Sequence, residues 1–180
     1  MDDRQFRDAL RVAGAAERIG AFWPADWAEL AVVFLVNGRE EQGVLDLACV
    51  DQPVSGWETD PLVARLNESL GLASPPEAND AVDLVARLLA DDLRARPASV
   101  TAPMIRMLAK VATPKFESDL ANKCFGAAEY LDCSCLVEVD PSFEMVLEAL
   151  PTLDLTDDLV ERIARPCRAT LPTVQPPHDH

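Results

Sequence analysis

The chain has 180 residues, 49% of them apolar and 26% charged, the balance of a globular rather than a disordered protein. A chain of this length buries roughly 70% of its unfolded surface, so it needs neither disulfides nor a structural metal to fold. Acids outnumber bases 31 to 16, for a net charge of −15, and a surface of that sign repels nucleic acid and anionic membranes unless a basic patch intervenes.

The closest approach to such a patch is Arg162, Arg165 and Arg168, and acids precede it. The N-terminal stretch is charged and lacks the apolar centre of a secretion signal. The longest clean apolar run, Leu30 to Val36, falls far short of the ~20 residues that span a bilayer. A soluble, cytoplasmic protein is the expectation. The excess of arginine over lysine and the wealth of alanine, leucine and valine match bacterial, high-GC coding.

In chain order, Asp2 to Ile19 has helical periodicity, with Phe6, Leu10 and Ala13 on one stripe and Gly20 as a stop. Pro24 and Asp26 suit the start of a second helix, and Asn37-Gly38 its end. Val32, Val33 and Val36 make its second side apolar too, which predicts a nearly fully buried helix. A rival reading makes strands of residues 31–36 and 44–50, joined through Asn37-Gly38. Asp51 to Asp60 reads as a loop from its Pro, Ser and Gly content. Trp57 lies in that loop, either folded back into the core or exposed as an anchor for a partner, since tryptophan is enriched at binding hot spots.

Helices are predicted over Pro61–Leu70, with Asp60 as cap and Gly71 as stop, and over Ala78–Ala95. Others follow over Ala102–Ala112, Lys115–Leu131, Ser142–Leu150 and Thr156–Ala164. A single helical domain is expected over residues 1–165, followed by a proline-rich extended or disordered tail over 166–180.

Lys115 to Asp140 carries three of the five cysteines. Cys124 falls on the apolar stripe of the predicted helix, where a thiol behaves as a small hydrophobe. Beyond Asp132 the period becomes two, so Cys133 and Cys135 share one side of an extended segment. A thiolate zinc site or a redox switch built from Cys133, Cys135, Cys124 and Cys167 is the alternative. Its spacing is poor: a lone Cys-x-Cys in a strand holds its sulfurs about 7 Å apart, whereas zinc needs them within about 4 Å.

The only histidines are His178 and His180, at the C-terminal end. That excludes serine–histidine and cysteine–histidine catalysis, and histidine-based zinc sites, from residues 1–177. The seven glycines form no phosphate-cradling loop. The adjacent acids Asp91-Asp92 and Asp157-Asp158 read as solvated helix faces, because neighbours i and i+1 diverge on a helix.

The expected fold is mainly α, an irregular multi-helix bundle or curved helical array with room for a small β patch. The expected function is a non-catalytic acidic interaction module for a more basic protein, of the immunity, chaperone or adaptor kind. Trp57 is its candidate contact, no cofactor is called for, and cysteine-based zinc binding or redox switching is the alternative.

Overall fold

The structure is a computed structural model that describes residues 1–51, 53–72, 76–95 and 151–169. Among the described residues there are six helices and no strand: α1 (Asp3–Arg18), α2 (Pro24–Val36), α3 (Gln42–Ala48), α4 (Gly56–Ser69), α5 (Ala78–Ala95) and α6 (Asp157–Ala169). The expected elements between residues 101 and 150 lie outside the described residues.

Local signals fix most helix ends. The Asp2 carboxylate accepts from the Gln5 backbone N–H at 2.8 Å, and the Gln5 side chain accepts from the Asp2 N–H at 3.2 Å, a reciprocal cap that satisfies two donors left over at a helix start. At the start of α2, Pro24 needs no N–H partner, and the Asp26 carboxylate accepts from the Trp23 N–H at 2.8 Å.

Helices α1, α2 and α4 stop in the same way. Gly20, Gly38 and Gly71 have positive φ. The residues after them, Ala21, Arg39 and Leu72, donate back to the carbonyls of Ala16, Phe34 and Asn67 at 2.8, 2.9 and 2.9 Å. This closure requires a left-handed residue, which glycine adopts without a Cβ penalty.

The strand readings of residues 31–36 and 44–50 are overturned. A strand would place Val32, Phe34 and Val36 on one side, yet Phe34 is 1% exposed while Val32 and Val36 are 49% and 83% exposed. Those same exposures correct the expectation that α2 is nearly fully buried. Trp27, Leu30, Ala31 and Phe34 instead form one buried helical face.

The start of α4 also differs from expectation. Ser55 caps the helix, its N–H and hydroxyl both donating to the Glu58 carboxylate, so the predicted loop ends at residue 55 and Pro61 lies inside the helix. α5 has the predicted bounds. α6 continues past Ala164 through Pro166 to Ala169, with Pro166 and Cys167 buried.

α1 packs chiefly on α5 and α6, and α6 also packs on α5 and α2. α2 packs on α3 and α4, and α3 on α4. α6 thus joins the α1–α5 pair to the α2–α4 group. Ala9, Ala13, Ala15 and Ala16 are all buried on α1, and such small side chains let neighbouring helices approach closely. Larger groups fill the centre: Phe6 meets Phe34 edge-on at 4.8 Å, and Phe22 meets Trp27 in the same way at 5.3 Å. Each such side chain contributes about 1.5–3 kcal/mol by leaving water.

Arginines tie the ends together. Arg39, in the α2–α3 turn, donates to Asp3 and Glu41 and lies 4.4 Å over the Phe6 ring. Arg7 donates to the Leu70 carbonyl at 2.6 Å, fastening α1 to the end of α4.

The acids Asp91 and Asp92 correct a second expectation, for neither is a solvated face. Asp92 is 1% exposed and accepts from Arg168 of α6, which also donates to Glu161 at 2.8 Å. Asp91 accepts from the Leu153 N–H at 2.8 Å and from Arg94. Asp157 and Asp158 are exposed in the first turn of α6, where negative charge suits the helix dipole.

Candidate functional site

The helix phase of α4 decides where Trp57 points. Its buried side is Thr59, Val63 and Leu66, spaced by four and three. Trp57 lies two residues before Thr59, about 200° around the axis at ~100° per residue. It therefore joins Pro61, Ala64 and Glu68 on the outward stripe, all of them exposed. Trp57 itself is 93% exposed, the most exposed of the large hydrophobic residues described. The alternative that it folds back into the core does not hold.

The chain around Trp57 is strongly acidic. Residues 42–69 hold Asp46, Asp51, Glu58, Asp60 and Glu68 against one base, Arg65. Arg65 donates to the Pro61 carbonyl at 3.3 Å rather than to a carboxylate, so it leaves those acids unneutralised. The end of α1 lies close by. Glu17 accepts from the Trp27 indole Nε1 at 3.0 Å. Burial pushes the Glu17 carboxyl up, the indole hydrogen bond pulls it back, and the negative charge of Asp60 adds to the rise. Asp60 of α4 thus stands within electrostatic reach of the junction between α1 and α2.

Trp23, one turn before Trp27, is 58% exposed at the cap position of α2. Its spacing to Trp27 places it on the buried stripe, but it precedes the helix, and the cap backbone turns it outward. The sequence signal that separates the two is Pro24, which marks the first helical position.

The three arginines of α6 do not form a basic patch. Arg162 and Arg165 both donate to Glu29 of α2, the second at 2.7 Å, and Arg168 is held by Asp92 and Glu161. Beside these pairs a groove of about 320 Å3 runs between α2 and α6, walled by Val32, Val33 and Val36 and rimmed by Asp158, Arg162 and Arg165. Sequence periodicity gives no sign of it, because it depends on α6 lying against α2.

Cys167 is 0% exposed, and its thiol donates to the Ile163 carbonyl at 3.3 Å. Burial, reinforced by the charge of Asp26, pushes the thiol up to about 12, which is the state of a core thiol. Cys49, exposed at the end of α3, was not singled out by the sequence. Cys124, Cys133 and Cys135, and both histidines, lie outside the described residues. Among the described residues no three acidic, cysteine or histidine side chains come together to hold a metal ion. No described helix is long and apolar enough to cross a membrane.

No family model, no curated protein and no solved structure matches the chain.

Proposed function

We propose that this chain is a non-catalytic interaction module that binds a more basic protein through the acidic, tryptophan-bearing outer face of α4. The observation that carries this reading is Trp57, 93% exposed on a helix that holds Glu58, Asp60 and Glu68 against a single base, Arg65. Holding a large aromatic ring in water is unfavourable for an isolated chain, and a partner that covers the ring recovers that free energy. The surrounding carboxylates steer a positively charged protein into contact and repel nucleic acid of like charge. The module works in the cytoplasm, in the manner of an immunity protein, chaperone or adaptor.

The test begins with capture of the partner from the native host, using the full chain and a Trp57→Ala variant as paired baits. A basic protein retained by the first and lost by the second is the expected result. Binding that is indifferent to Trp57, or partners with no excess of positive charge, would contradict the reading.

A further inference from the structure

We infer that Trp57 and Asp60 together form a receptor for one arginine side chain of the partner, the guanidinium stacking on the indole and pairing with the carboxylate. The inference rests on the reading of α4 as the docking face and adds the group that is recognised there. Trp57 and Asp60 stand three residues apart on α4 and both are exposed, and side chains so spaced are neighbours on a helix surface. Trp57 presents its ring to solvent, 93% exposed. The Asp60 carboxylate lies back along the first turn: a Cβ on Gly56 would meet its two oxygens at 3.4 and 3.6 Å. Glycine has no side chain to cover that flank, so the carboxylate stays open.

Within the chain the Asp60 charge is left to solvent. The cap of α4 is made by Glu58, whose carboxylate takes the Ser55 N–H and hydroxyl. Arg65, the one base of α4, donates to the Pro61 carbonyl, and Asp60 enters none of the ion pairs among the described residues. Its charge is felt instead by Glu17, of the same sign, so a cation placed here relieves a repulsion as well as finding a partner. Trp23, the other exposed tryptophan, differs in this respect. The acid three residues after it, Asp26, accepts from the Trp23 N–H at 2.8 Å and belongs to the cap of α2. Arginine suits the Trp57 site better than lysine does. Its flat guanidinium lays a face on the indole and keeps an edge of donors for the carboxylate, whereas the lysine ammonium is a compact, strongly hydrated point charge.

The experiment titrates the full chain, at low salt, with two acetylated and amidated peptides of equal charge, one of four Gly-Arg repeats and one of four Gly-Lys repeats. The backbone N–H signals of α4 in nuclear magnetic resonance report binding. The arginine peptide is expected to bind with Kd on the order of 1 mM, about threefold or more tighter than the lysine peptide. Trp57→Ala and Asp60→Asn, both at exposed sites and so harmless to folding, are each expected to remove that preference and to leave only the binding that net charge supplies. No binding of the arginine peptide up to about 10 mM, equal binding of the two peptides, or a preference that survives either substitution overturns the inference. The docking of a basic protein is decided separately, by whether capture depends on Trp57. A partner lost with Trp57→Ala, from a chain that shows no preference for arginine, would overturn the arginine receptor alone.

Discussion

The indole Nε1 of Trp27 donates to Oε1 of Glu17 across 3.0 Å, joining the first turn of α2 to the last turn of α1. The bond holds a carboxylate in a half-buried place where solvent stabilises its charge less than in open water. Burial lifts the Glu17 carboxyl above its ordinary value of 4.5, and the indole only partly offsets this.

The sign of the consequence follows from proton linkage. A carboxyl raised on folding binds its proton more tightly in the folded chain. Its stabilising contribution is therefore complete below the ordinary value and is lost as pH rises through the folded one. Near neutral pH the Glu17 charge is a net cost. Glu17→Gln keeps an acceptor for the indole and removes the charge, so it should raise the Tm near pH 7, with the gain shrinking toward about pH 4. Glu17→Ala removes the acceptor as well and should lose about 1 kcal/mol or more relative to Gln. Thermal melts of both variants over that range check the ordering.

A pair of glycine substitutions tests how closely α3 sits on α4. A Cβ at Gly43 would meet the Leu66 Cβ at 3.0 Å and its Cα at 3.4 Å, whereas one at Gly14 meets nothing within 4 Å. Gly14→Ala should stabilise by about 0.5–1 kcal/mol through helix propensity. Gly43→Ala gains the same propensity but forces the helices apart, at a cost of about 1–3 kcal/mol, and should be net destabilising. Urea unfolding of the two variants should give opposite signs.

The contact between Asp92 and Arg168 anchors α6 to α5. Asp92 is 1% exposed on its side chain and Arg168 21%. Asp92→Ala should cost about 2 kcal/mol, below the 3–5 typical of a fully buried broken pair, because Arg168 keeps Glu161 at 2.8 Å. Equilibrium unfolding measures this directly. A change under about 0.5 kcal/mol, as at an ordinary surface site, would show that the pair does not hold the two helices together.

The thiols separate by accessibility. In variants that keep one cysteine at a time, Cys49 should react readily with a thiol reagent. Cys167, buried and pushed up to about 12, should react only as fast as the fold opens.

Much of the helical frame was legible because its signals are local. The stops at Gly20, Gly38 and Gly71 follow from backbone conformation, and α5 has the bounds that its apolar spacing predicts. The start of α4 was misread because Pro61 looks like a first-turn residue, although Ser55 and Glu58 already carry the capping pattern one and a half turns earlier. With α4 started at Gly56, the exposure of Trp57 follows from counting residues to Thr59. What no local signal encodes is pairing across the chain. Asp92 meets Arg168, 76 positions away, and Glu29 meets Arg162, 133 positions away. The burial of Asp92 and the groove beside Val36 both depend on where α6 comes to rest.

The proposed binding of a basic protein by Trp57 and the acids of α4 is tested most directly by calorimetric titration of the captured partner into the full chain and into Trp57→Ala, at low and at high salt. Trp57→Ala is expected to leave the Tm unchanged and to weaken binding by about 2 kcal/mol, some 30-fold, as at a hot spot. Binding of the unaltered chain is expected to weaken at least several-fold as salt screens the carboxylates. Equal affinity of the two chains, or affinity unmoved by salt, would contradict it.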